Sequence, residues 1–593
     1  MSAERQFGKY THLNRMPGGL LALVCYGNEN ILVNGNPDVT WFYKSFLRHT
    51  HFSQEPIQVQ VEGPSLLLMD SPILLKAKIP RQGDLLSDLV LRVQLPDIFS
   101  KLYLRTDVSG NAISVDRAYE FQWVRRVGVR MIQKVTCTIG GQTIQEFNND
   151  WIMARALLDN DNTQYQKWRS MVGDVPELFD PQQGVYADVS SGNPLYPNVV
   201  AWRGSPSNPN PLQNNAPSIP GRILRIPLGL WFSDVIHNSL PLIGLQYHDC
   251  EIQIQMSPIR DLYTILDPNG IRLRYGIQSL PYIPTDQYPG IYNPNEFGPL
   301  PPSLNNLYGT GTDLSGSLKY FLTDISGAIP LQDGWPLNAT LEATYTFLRQ
   351  EEQQVFTKKT IRYNVRQAQN FVFTGIQTRN TYRLDVHNIA TRIVAYARRS
   401  DSLPFRNQAT NLTNWIDPRG KFRPFVVPLT NPQTDTPQDP NKVYPNYIGS
   451  PTLPLQYIGR SGLNLPGLQR RILKNMFFTA NGTPLFDSED SNYFTEYVPF
   501  QYLRGAGTPF QDYGLASQSE MWPMYSYSFA LHGSEIAQPT GTLNTSRIDR
   551  LEVDVDVEPI PVLAGYTYEL QVFVETLNFL EISTGLGGLK FAK

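Results

Sequence analysis

Residues 250–256 read CEIQIQM. Cys250, Ile252, Ile254 and Met256 alternate with Glu251, Gln253 and Gln255, and a period of two sends successive side chains to opposite faces of a β-strand. The same pattern recurs in both halves of the chain. Ile57, Val59 and Val61 alternate with glutamines, and Leu89, Leu91, Val93 and Leu95 form one face of another segment. Further on, Leu341, Ala343, Tyr345 and Phe347 alternate with Glu342, Thr344 and Thr346. In LEVDVDV, residues 551–557, four apolar side chains oppose three carboxylates, and Tyr568, Leu570, Val572 and Val574 repeat the scheme. Such strands are expected to bury one face and wet the other, as in antiparallel sandwiches. Helical signals are few: residues 145–159 place Phe147, Trp151, Ile152 and Ala156 at helical spacing, and residues 231–237 form a weaker candidate.

Between the alternating segments lie stretches rich in Pro, Asn, Gly and Ser, at about 174–220, 281–336 and 401–466. Loops of this length tend to be functional or to carry their own fixed turns. The middle one separates two β-rich halves. The expected organisation is an N-terminal arm at 1–19, a first sandwich at 20–260, a linker and loop excursion at 261–335, and a second sandwich with a C-terminal tail at 336–593. No near-identical internal repeat is visible, so any duplication has diverged beyond simple reading.

Of the 593 residues only 17% are charged, against 47 prolines, 43 glycines and 31 tyrosines. That mixture suits short strands, fixed turns and broad uncharged contact surfaces. A net charge of -3 provides no long-range attraction to nucleic acid or anionic lipid. Direct nucleic-acid binding is therefore not expected. Cys25, Cys137 and Cys250 form no C-x-x-C motif. Cys137 and Cys250 fall on apolar strand faces, where a buried thiol packs as a small hydrophobe, pointing to a reducing compartment and no disulfide. No signal peptide or membrane-spanning run is visible, so synthesis and use in the cytosol are expected.

Catalytic chemistry finds little support. His49 and His51 would face the same way on a strand but have no further ligands nearby, and His248 reads as a hydrogen-bonded structural histidine. A nucleophile elbow, a phosphate-binding loop and an H-E-x-x-H motif are all absent. The expectation is no enzyme, no cofactor and no metal. Of the Asn-x-Ser/Thr sequences at Asn338, Asn411, Asn481 and Asn544, Asn481-Gly482 has the composition of a hairpin turn. Asn411, inside a long loop, is the position expected to carry a glycan if the protein has one.

Five segments in order along the chain carry a resemblance. Residues 18–52 hold Tyr26-Gly27, the Gly35-Asn36-Pro37 turn and Arg48-His49-Thr50; residues 135–144 read VTCTIGGQTI. Residues 226–252 include Pro227, Trp231, Phe232, Leu240-Pro241-Leu242 and Leu245-Gln246-Tyr247-His248. The most specific, residues 527–549, holds Gln538, Pro539, Gly541, Asn544 and Ser546-Arg547-Ile548-Asp549, and the chain ends in GLGGLKFAK. Together they resemble the major capsid proteins of the nucleocytoplasmic large DNA viruses, the group of iridovirus, chlorovirus and mimivirus capsids. Thr540, Leu543 and Lys590 depart from the family's pattern and mark a divergent member.

The resemblance implies an all-β fold of two consecutive eight-stranded jelly rolls, a double jelly roll with long loop insertions and a few short helices. It implies a structural major capsid protein whose homotrimers form pseudo-hexagonal capsomers and tile an icosahedral shell in the virion, assembled in the host cytoplasm. Implied partners are further copies of the chain, minor capsid proteins and, through the N-terminal arm, an inner membrane. Alternatives are a minor capsid, penton or scaffold protein of the same fold and, on fold grounds alone, a carbohydrate-binding or glycosidase β-sandwich protein.

Overall fold

The computed structural model describes residues 18–44, 46–99, 102–106, 112–118, 120–179, 217–266, 272–274, 318–322, 330, 334–403, 409, 411–413, 471–505, 523–535, 537–560 and 566–591. Most of the three long Pro-rich stretches, and the first 17 residues of the expected arm, lie outside these. The chain divides into two units, residues 1–51 and 52–593. In the first, two seven-residue helices, Gly18–Val24 and Asn28–Asn34, bury no side chain.

In the second unit, eight strands build the two main sheets of the first sandwich. They are β1 (Ser53–Gln60), β2 (Ile73–Lys78), β3 (Leu85–Gln94), β4 (Ile132–Ile139), β5 (Gln142–Asn148), β6 (Ile223–Pro227), β7 (Cys250–Met256) and β8 (Thr340–Phe347). They pair antiparallel in two four-stranded sheets, β1-β8-β3-β6 and β2-β7-β4-β5, and Leu240–Pro241 adds a short further pairing on β3. Their alternating apolar residues, among them Val59, Leu75, Leu91, Cys137, Ile252 and Leu341, meet between the sheets. Full burial of such a side chain contributes roughly 1.5–3 kcal/mol.

Eight further strands follow: β9 (Ile361–Ile376), β10 (Asn380–Leu384), β11 (Ile389–Arg399), β12 (Leu473–Ala480), β13 (Thr483–Pro484), β14 (Tyr525–Ser528), β15 (Leu551–Val557) and β16 (Tyr568–Ser583). Their sheets are β9-β16-β11-β14 and β10-β15-β12-β13. Each strand thus has its counterpart eight positions earlier, and the order of pairing is identical: the fold is a double jelly roll. The counterparts extend to turns. β4 and β5 are joined by Gly140-Gly141 at φ 56° and 82°, and β12 and β13 by Asn481-Gly482 at φ 51° and 80°. Both are two-residue hairpins whose positive φ values suit the twist of the flanking strands.

Several expectations differ from the structure. Strand 340–347, expected to open the second half, completes the first: its register runs Val59 opposite Leu341 and Leu91 opposite Leu341 on either side. Alternation identifies a strand but not its partners, and here the partners lie across a long connection. The division between sandwiches falls between Phe347 and Ile361, where the helix Gln350–Lys358 sits. At the other end, the first sandwich begins at Ser53 and not at residue 20. Finally, β16 buries both faces, as does its neighbour β11, because their outward side packs on the first sandwich. The helix expected over 145–159 occupies Asn149–Asp159, its first residues being taken up by β5.

In the first sandwich the short turn from β2 to β3 and the hairpin from β4 to β5 lie at one end, so antiparallel pairing puts the last residues of β3, β5 and β7 at the other. The same reasoning puts the last residues of β11 and β13 at the corresponding end of the second sandwich.

Candidate assembly surfaces

The two sandwiches are joined by a buried polar junction. Asn148 ends β5 and caps the following helix by accepting from the Trp151 N–H at 3.0 Å, a saving of about 1 kcal/mol. That helix, Asn149–Asp159, lies on the outward face of β11 and β16. Trp151 packs on Phe573 with ring centroids 5.3 Å apart, and the Arg392 guanidinium sits over the Trp151 ring. The edge of β5 is tied to β9 by side-chain amides: Gln145 Nε2 donates to the Arg366 carbonyl at 2.8 Å, and Gln367 Nε2 to the Ile144 carbonyl at 2.7 Å.

At the end of the helix, Asp159 meets two arginines of the second sandwich. Arg392 donates to both its oxygens, at 2.5 and 3.0 Å, and Arg366 Nη1 lies 3.0 Å from Oδ2. The same arginines reach Glu575 on β16 at 3.1 Å each, and the Thr391 hydroxyl donates to Glu575 at 2.8 Å. Arg155, one turn before Asp159, pairs with Asp234. Three cations and three anions therefore close a neutral cluster, which is what burial of charge demands. Burial alone would raise the Asp159 pKa, but Arg392 and Arg366 outweigh it and hold the carboxyl well below the usual carboxylate range. Asp174, fully buried against Arg125, Arg126 and Arg169, is depressed in the same way.

A second seam lies at the chain's end. After β16 the chain turns through Thr584-Gly585 and returns as the short strand Leu586–Leu589. His248 Nδ1 is 3.0 Å from the Gly587 carbonyl oxygen and 3.2 Å from its amide nitrogen, and the Leu589 N–H donates to Gln142. His248 is thus a structural histidine, packed over Gly140 so closely that a Cβ there would fall 2.5 Å from its ring.

The sequence motifs map onto this frame. Segments 226–252 and 527–549 occupy the same topological place in the two sandwiches, spanning the crossing from β6 to β7 and from β14 to β15. Cys137 and Cys250 lie on buried faces as expected, and Cys25 is exposed. Asn411 is buried, its Oδ1 accepting from the N–H and hydroxyl of Thr413; attaching a glycan there requires this loop to open. Among the described residues no three His, Cys, Asp or Glu side chains are grouped to hold a metal. What the sequence reading missed is the junction. Its signal was present: Arg392 and Glu575 are charges set inside otherwise apolar runs, IATRIVAYA and LQVFVETLNFL.

Residues 40–285 match the family model for the major capsid protein N-terminus, and residues 352–588 match that for the large eukaryotic DNA virus major capsid protein. The chain belongs to the major capsid protein family of large eukaryotic DNA viruses. This capsid chain is 25% identical to the major capsid protein of Phaeocystis pouchetii virus, over 97% of its own length and all of the relative's. To that of Paramecium bursaria Chlorella virus 1 it is 22% identical over 97% and 100%. In fold it is similar to the solved PBCV-1 capsid structure, with a TM-score of 0.55, 18% identity and 93% and 100% of the two chains covered. For the Faustovirus major capsid protein the TM-score is 0.54 at 13% identity, covering 95% and 96%. The capsid chain is a structural protein of the virion and not an enzyme.

Proposed function

We propose that three copies of this chain form a pseudo-hexagonal capsomer and that capsomers tile an icosahedral shell around a large DNA virus. The observation that carries this reading is the repetition of one eight-strand pairing order twice in a single chain. Three chains then supply six equivalent sandwiches about a three-fold axis, and a six-sided tile fills a surface while its closed ring stops runaway growth. The strand ends from which the long connections leave lie at one end of each sandwich and give the tile two different faces.

The segment up to His51 has a different task. Leu32, Val33, Trp41, Phe42, Phe46 and Leu47 are each more than four-fifths exposed, and exposed apolar surface on this scale marks an interaction site. Together with the arm before it, this segment contacts neighbouring capsomers, minor capsid proteins or an inner membrane during assembly in the host cytoplasm. The chain's small negative net charge supports a shell without direct nucleic-acid contact.

Negative-stain electron microscopy of the purified protein tests the reading: it predicts six-sided outlines with three-fold averages. Fields of single elongated two-lobed particles would overturn it.

A further inference from the structure

The two sandwiches are topological copies, yet their equivalent surfaces are used unequally. In the second, the outward face of β11 and β16 is covered by the helix that follows β5. In the first, the equivalent face on β3 and β8 is open, with Asp88, Val90, Arg92, Glu342 and Thr344 all partly exposed and Ile223 on β6 exposed at its edge.

Register makes the equivalence specific. Val90 lies opposite Glu342 beside Arg92 opposite Thr340; Val394 lies opposite Phe573 beside Arg392 opposite Glu575. Each face carries two arginines on one glutamate. Arg92 and Arg225 lie 3.7 and 3.0 Å from Glu342, as Arg366 and Arg392 lie on Glu575. The second face also receives a carboxylate from the covering helix, Asp159. On the first face no helix of the described residues covers the cluster, and Asp88 on the same face balances the second arginine.

The counterpart of the covering helix sits on the second sandwich. β13 is followed by the helical turns Tyr493–Tyr497 and Val498–Tyr502, as β5 is followed by Asn149–Asp159. Tyr497 and Phe500 are 51% and 84% exposed. Within 493–502 the one charged side chain, Glu496, is paired with Arg471, so what the segment offers is its exposed rings. Aromatic rings are what an open, arginine-bearing sheet face accepts.

We propose that the helical segment 493–502 of one chain seats on the open β3–β8 face of a second copy, repeating between chains the contact already made within one. This rests on the trimer reading above and deepens it: each chain offers one unused segment and one unused face, so the contact runs head to tail around the ring.

Sedimentation of the full chain tests it with Phe500→Asp and Ile223→Asp, both at exposed positions, with thermal melting as the check on folding. Tyr497→Asp and Arg225→Glu serve as a second pair should either variant fold poorly. Wild type is expected at about three times the 67.2 kDa chain mass, and each variant alone at one chain mass. An equal mixture of the two variants is expected to yield a two-chain species, because one intact segment then meets one intact face. Variants that still sediment as wild type, or a mixture that never pairs, would overturn the proposed contact while leaving the trimer standing. A wild-type protein that sediments as a single chain would overturn the trimer and the contact together.

Discussion

Asp159 is the residue on which the union of the two sandwiches turns, since it is the one carboxylate that the first contributes to Arg366 and Arg392 of the second. Asp159→Ala leaves two buried guanidinium groups sharing Glu575 alone, and removal of one partner from a buried pair costs about 3–5 kcal/mol. Calorimetry should register this as a clear fall in melting temperature with the sandwiches still folded at 25 °C. Because the folded-state pKa of Asp159 is depressed, its stabilisation is complete above the unfolded value of about 3.9 and is lost as pH falls below it. Asp159→Asn should therefore flatten part of the decline in melting temperature between pH 5 and pH 3; an unchanged slope would show that the cluster is not the acid-sensitive element. At this scale the sequence was partly legible. Alternation alone placed Cys137 and Cys250 in the core, whereas the pairing of Asp159 with residues more than 200 positions away leaves no local trace beyond a charge in an apolar run.

Strands and hairpins were the most legible elements, because side-chain period and turn chemistry are local. The hairpin at Asn481-Gly482 formed as its composition predicts. Its counterpart at Gly140-Gly141 separates two costs that glycine avoids. Gly482→Ala meets no atom within 4 Å but must hold φ near 80°, so it should cost about 1 kcal/mol. Gly140→Ala adds a collision with the His248 ring and should cost more, while loosening the Leu586–Leu589 seam; hydrogen exchange at the Gly587 amide would report the loosening. The strand that misled was β16. Its alternation is genuine on the inner face, but its outer face is apolar too, at Phe573, as is that of its neighbour β11 at Val394 and Tyr396, since both are covered by Trp151 and its helix. Trp151→Ala removes that cover and should cost about 3–5 kcal/mol, with Phe573 becoming accessible to solvent; a loss below 1 kcal/mol would mean that the helix lies on the sheet without holding it.

For the whole molecule, the duplication escaped the sequence reading because topology, unlike period, is carried by pairings between distant strands. Once the pairings are known, the two most distinctive segments, 226–252 and 527–549, prove to be one crossing used twice. Strand 340–347 likewise changes sides, because membership in a sheet depends on β1 and β3 and not on its own alternation. With two equivalent building units in one chain, the proposed trimer is a six-sided object. Cryo-electron microscopy of the purified assembly, reconstructed without imposed symmetry, is the measurement that checks this. Three chains are expected, their six sandwiches related by successive rotations of about 60° around one axis, as closure of a ring of equivalent units requires. A closed assembly with another number of chains, or one in which the two sandwiches of a chain stand at inequivalent distances from the axis, would contradict it.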